Sequence, residues 1–337
     1  MKSKPFKFIG FVALSCLFAF VSQAQSVSST PVGYVTQTIS AGTGTGRVFT
    51  PIALPLYSPS SVANATGAIG SVSATGFTVT GASFPSLSDA ATPYAVRITS
   101  GTLAGVNLHI SANTADSITV DFSLSSVSST SGLVADDTYE IIEVDTLNSL
   151  LGGPADEVIF SAATQADADV VYVFSGGAWL SYFHNGTNWV RKSGRSTIIS
   201  DDLPLTADRA ILFSRISASS TSYILTGTVP STNSTLKLNG SGLSYLANNT
   251  PTDITLANLG LEAVTGFENG ATGDSIYLYT NGSWLKYNFD GTNWIRKSGR
   301  STIISNDIVI PSGTGFVFSK NGSASEASAS LDLQYTL

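Results

Sequence analysis

The 337-residue chain carries 16 Lys and Arg against 23 Asp and Glu, a formal net charge of −7. Residues 1–24 read as a secretory leader with three lysines and no acid, so the mature chain is more acidic still, which argues against a nucleic-acid partner or attraction to an anionic membrane. The only cysteine, Cys16, and the only methionine, Met1, lie in that leader, and two histidines remain, which excludes thiol nucleophiles, disulfide scaffolds and multi-histidine metal sites.

The leader has its three parts in order: Lys2, Lys4 and Lys7, an apolar run over residues 8–21, then Ser22-Gln23-Ala24 with small residues at both cleavage positions. It predicts a secreted protein, extracellular or cell-surface, with the periplasm as a further destination. Ala13-Leu14-Ser15 is a poor lipidation signal ahead of Cys16. No later stretch reaches the roughly 18 apolar residues of a membrane-spanning helix, so none is expected.

From residue 25 onward the chain reads as strands. Residues 25–58 supply N-terminal strands, which could belong to the first of two later modules. Residues 59–144 read as a β-domain: Tyr94, Val96 and Ile98 alternate with smaller or polar residues, a run over 106–110 follows, and another over 117–122 comes after the turn residues 113–116. Residues 145–222 form module one and 223–337 module two. Asn185-Gly186, Asn239-Gly240, Asn281-Gly282, Asp290-Gly291 and Asn321-Gly322 supply positive-φ pairs for tight hairpins. Only residues 147–151 and 254–259 suggest short helical turns.

The most informative feature is a repeat at an offset of 105 residues. Over residues 171–215 against 276–320 there are 22 identities in 45 positions, and residues 186–200 return as 291–305 with Val190 to Ile295 the sole change. A duplicated β-module follows. The repeat extends upstream: residues 226–246 precede the second copy, and their best match lies far back at residues 32–56. Residues of about 59–144 would then be a domain inserted into module one, the simpler alternative being three consecutive domains.

Pro31-Val32-Gly33-Tyr34-Val35-Thr36 behind a leader, residues 94–101 with Gly105, the segment 137–142 before Thr146-Leu147, and the Trp-Tyr hairpin modules together resemble an uncharacterised family of secreted bacterial proteins. The resemblance covers most of the mature chain. It implies the compartment and brings no activity or catalytic residue.

Catalytic constellations are weak. His109 sits in a strand without a Gly-X-Ser-X-Gly elbow, and reads as facing solvent or satisfied in the core. His184 has Phe289 as its counterpart in the repeat, which favours packing over proton transfer. The carboxylates Asp136-Asp137, Asp156-Glu157, Asp167 with Asp169 and Asp201-Asp202 are near neighbours in sequence and read as solvated loops; Asp167 and Asp169 lack the remaining ligand order of an EF-hand. No enzyme activity and no cofactor are expected.

The repeated block offers the one candidate surface. Trp189 and Trp294 stand ten residues beyond Trp179 and Trp284, and Arg191, Lys192, Arg195, Arg296, Lys297 and Arg300 hold six of the thirteen basic residues outside the leader. Read functionally, Trp189 and Trp294 stack on sugar rings while the cations bind hydroxyl or acidic groups, with two copies raising avidity. Read structurally, both indoles anchor module cores and the cations pair with Asp201, Asp202 and Asp307. The expectation is an all-β protein of multiple antiparallel sandwich or barrel-like modules, non-catalytic, structural or adhesive at the cell surface, with surface proteins or polysaccharide as partners. Carbohydrate binding is the alternative, and an outer-membrane β-barrel, suggested by the alternating Leu331, Leu333, Tyr335 and Leu337, is the second.

Overall fold

A computed structural model describes residues 31–89, 91–175, 178–193, 196–322 and 325–336; the expected leader and Arg195 lie outside the described residues. The described chain from residue 31 onward is one compact all-β unit of antiparallel sheets, with a single short α-helix, Leu147–Leu151.

Two six-stranded sheets carry the repeat. The first runs Ser196–Ile199, Trp189–Ser193, Ala178–His184, Val170–Ser175, Ile211–Arg215, Val48–Ile52. The second runs Ser301–Ile304, Trp294–Ser298, Ser283–Phe289, Ser275–Thr280, Gly315–Lys320, Gly242–Ala247. Strand for strand the orders match along the repeat. Both sheets are open at their ends among the described residues, and neither closes into a barrel, which would require its first and last strands to pair.

Each sheet is covered by a two-stranded ribbon, and the core lies between them. In module one the ribbon is Val32–Ile39 against Thr221–Thr228; in module two it is Ser234–Leu238 against Ala327–Leu331. Ile39 and Ile52 pack with Val171, Tyr182, Trp189, Ile211 and Phe213, closed at one end by Leu147 and Leu151. The second core repeats this, with Leu236, Leu246, Ile276, Tyr287, Trp294, Phe316 and Phe318 closed by Leu256, Leu259 and Leu261. Strand Thr221–Thr228 runs through the expected module boundary at 222/223, because its register partner lies at Val32–Ile39. Thr146 starts the helix by accepting a hydrogen bond from Ser149 N while Ser149 Oγ accepts from Thr146 N, a reciprocal cap that satisfies two otherwise free donors.

Between Val48–Ile52 and the helix, the chain builds a separate sheet from Ser58–Pro59 to Thr138–Glu143, with its own core of Phe77, Val96, Ile98, Leu108, Ile110, Tyr139 and Ile141. Arg97, buried on this sheet, donates to Thr232 O and Thr232 Oγ1 at 3.0 Å and lies over the Tyr57 ring, tying the sheet to the segment that joins the two modules.

The six-stranded sheets meet back to back. Ala53, Ala210 and Leu212 of module one pack on Tyr245, Ala247 and Val317 of module two, flanked by Phe49, Tyr172, Phe174 and Tyr277. Tyr245 packs edge-on against both Trp179 and Trp284, the two equivalent indoles of the repeat. A Cβ on Gly315 would come within 2.3 Å of Ala210 Cβ, so glycine is what permits this approach.

Candidate functional site at the hairpin edges

The repeated block forms the outermost hairpin of each sheet. Its loop is built by local polar chemistry: Asn185 Oδ1 accepts from Thr187 N and Asn188 N, and Asp290 Oδ1 accepts from Thr292 N and Asn293 N. Gly186 and Gly291 follow at φ 101° and 103°, which a side chain rarely adopts. The expected Asn-Gly and Asp-Gly pairs here open four-residue loops, whereas Asn281-Gly282 is a true two-residue turn joining Thr280 to Ser283.

Trp189 and Trp294 follow the loops and are fully buried in their module cores. This corrects their assignment as sugar-stacking residues, since an indole enclosed by Phe213 or Phe318 and their neighbours has no face to offer a ligand. Trp189 N donates to Asp201 Oδ1 at 2.6 Å and Trp294 N to Asn306 Oδ1 at 2.8 Å. Asn188 and Asn293 brace those acceptors from across the hairpin. Asp201 is thus a strut for the hairpin backbone.

Beyond the indoles the strands rise out of the core. Arg191 and Arg296 are half-buried beside Tyr182 and Tyr287, and their charge works against the burial that raises those phenols. Lys192 and Lys297 are exposed, each donating to the threonine opposite, Thr197 or Thr302. Arg300 is exposed at the second hairpin tip. The structure therefore brings the described cations to two separate hairpin tips and leaves Trp189 and Trp294 beneath them.

The last strand of each hairpin, Ser196–Ile199 and Ser301–Ile304, is exposed at every residue and is the outer edge of its sheet. Ile199 and Ile304 are each 66% exposed, and Ile198 and Ile303 about two-fifths. The other edge of module one is covered. Ala53, just past Val48–Ile52, donates its N–H to Gly313 O of module two, and Gln37 Nε2 donates to the same oxygen. Sequence reasoning missed these edges because it followed the Trp and Arg residues. The signal that could have found them is Ser-Thr-Ile-Ile, an apolar strand end with no charge and no proline.

Elsewhere, chemistry is committed to structure. His109 neither faces solvent nor is satisfied: burial lowers its pKa, and both ring nitrogens lack a partner among the described residues. The nearby Ser125 hydroxyl accepts from the His109 backbone N–H. Asp137, Asp156 and Asp169 accept from backbone N–H groups, and Asp169 also faces Arg215 at 3.8 Å; Asp167 accepts from Thr164 Oγ1. His184 accepts at Nδ1 from Gly186 N and packs edge-on against Trp189. A cleft of about 650 Å³ lies where the three sheets converge, walled by Phe174, Tyr245, Arg209, Lys237, Asn239 and Glu326 among others.

Compared with known protein families, curated proteins and solved structures, the chain matches none. The fold and its exposed surfaces therefore carry the functional argument by themselves. No helix among the described residues is long and apolar enough to cross a membrane.

Proposed function

We propose that this is a non-catalytic, secreted or cell-surface structural protein that adheres through the bare edges of its two duplicated sheets. One observation carries the reading. Of the 22 identities between the repeats, 14 fall in the 15 positions 186–200, leaving eight for the other 30. A recent duplication would leave identity spread evenly, and a purely structural constraint would concentrate it in the cores. Here it runs out of the core onto strands exposed at every residue. Apolar, uncharged sheet edges are templates for pairing with another strand, and folded proteins ordinarily protect them.

The test is retention of residues 25–337 on insoluble envelope and matrix material from the producing cells, beside Ile199→Lys/Ile304→Lys. Both positions are exposed, so the variant folds. Loss of retention in the variant supports the reading, and equal retention of both proteins, or none of either, overturns it.

A second reading, oligosaccharide binding, is favoured by the 650 Å³ cleft, whose size and mixture of aromatic and polar walls suit a small glycan. It moves away from Trp189 and Trp294 to Phe174, Arg209 and Asn239. Binding on a glycan array that Phe174→Ala abolishes would favour it over edge adhesion.

A further inference from the structure

We infer that the partner of each bare edge is a second copy of this chain, paired antiparallel so that Ile198 of one copy faces Ile303 of the next. The inference rests on the adhesive reading and names its partner. Each hairpin is polar from end to end in the electrostatic sense. Its tip carries Lys192, or Lys297 and Arg300, all exposed, and the chain leaving its edge strand carries the exposed Asp202 or Asp307. Parallel pairing of two such edges would set tip against tip and acid against acid. Antiparallel pairing sets the basic tip of one copy beside the acid of the other at both ends of the seam.

The side-chain pattern selects the register. In module one Ile198 lies opposite Arg191 and Thr197 opposite Lys192; in module two Ile303 lies opposite Arg296 and Thr302 opposite Lys297. Arg and Ile thus occupy one face of each hairpin, and Lys and Thr the other. With a module-one edge laid on a module-two edge, continuous faces and the fullest overlap put Ile198 opposite Ile303, with Thr197 opposite Ile304 and Ile199 opposite Thr302. A shift by one residue would put the Arg face of one sheet on the Lys face of the next. The aligned register gives an Ile pair on one face and two Ile-Thr pairs on the other, side-chain combinations that stabilise antiparallel neighbours.

Each copy has two such edges, and one contact of this kind uses a single edge of each copy. A module-one edge on a module-two edge is a head-to-tail contact, which propagates into a linear polymer where its rotation does not close a ring. Four-residue seams are individually weak, so assembly depends on concentration, and its charged ends make it weaken with salt.

The mature chain has no cysteine, which makes disulfide trapping clean. Ile198→Cys/Ile303→Cys in residues 25–337 is purified reduced and oxidised mildly, beside Ser196→Cys/Ser301→Cys, whose positions lie far apart across the seam in this register. The expected result is a ladder of covalent multimers from the first variant and monomer from the second, with sedimentation velocity showing that Ile199→Lys/Ile304→Lys weakens self-association of the cysteine-free chain by roughly tenfold or more. The inference is overturned if both cysteine variants ladder equally or neither does, or if the cysteine-free chain stays monomeric at the highest concentrations. If envelope retention still depends on Ile199 and Ile304 while self-association is missing, the adhesive reading stands and the partner is a different molecule.

Discussion

The two modules share their buried Trp, Tyr and Phe anchors, differ in the polar contacts around them, and carry the same chemistry on their edges. Asp169 faces Arg215 at 3.8 Å in module one, and Asp274 bonds Lys320 at 2.9 Å in module two, with all four side chains buried. Asp201 holds the hairpin backbone in one and Asn306 in the other. His184 packs on Trp189 where Phe289 packs on Trp294. Trp189 Nε1 donates to Gly152 O at 2.9 Å, whereas Trp294 Nε1 has no partner among the described residues. The contacts around the shared buried aromatics have thus been re-solved pair by pair. The exposed Ser-Thr-Ile-Ile edge has not changed either, although folding alone places no such demand on it.

The largest effects are expected where each module encloses charge. Asp169→Asn or Asp274→Asn leaves a buried cation without its partner and is expected to destabilise its module by about 3 to 5 kcal/mol, read as a lowered denaturant midpoint in the tryptophan signal. The modules should respond separately: amide exchange would rise in the mutated core while the other retains its protection. Next is the seam between them. Gly315→Ala drives a methyl group into Ala210 and is expected to cost about 1 to 3 kcal/mol, with Ala210→Gly restoring part of the loss when combined.

A smaller difference separates the two buried indoles. Trp189→Phe strands the Gly152 carbonyl that the indole now satisfies, while Trp294→Phe removes an unpaired donor, so thermal unfolding should rank the first as the more damaging by about 1 kcal/mol. The smallest effect is a pH difference. Burial holds the His184 imidazole below its ordinary pKa, with Asp201 partly opposing, so the unfolded chain binds the proton first. Stability from neutral His184 is therefore present above a pH of about 6.5 and falls away as pH drops through the window between the unfolded and the lower folded pKa. His184→Phe, copying module two, should flatten that slope for module one in denaturation curves across mildly acidic pH.

How much of this could be read in the sequence follows from how local each feature is. The strands of the repeat, the short helix at residues 147–151 and the turn at Asn281-Gly282 depend on neighbours a few residues away, and they stand as expected. The covering ribbons do not: Val32–Ile39 pairs with Thr221–Thr228 across most of the chain, which no local pattern specifies. The fate of Trp189 was hidden for another reason. Val190 beside it is buried too, on the opposite face with Val170 and Phe183, so both faces of the strand are covered there and period-two alternation disappears. The edge strands were legible as strands, but their exposure depends on being last in the sheet order, a property of the assembled fold.

The most direct measurement is amide hydrogen exchange of residues 25–337 at low and high protein concentration. The account predicts that concentration slows exchange in Ser196–Ile199 and Ser301–Ile304, leaves the opposite edges Val48–Ile52 and Gly242–Ala247 unchanged, and has no effect in Ile199→Lys/Ile304→Lys. Exchange at the two bare edges that is indifferent to concentration, or protection that develops elsewhere on the surface, would contradict it.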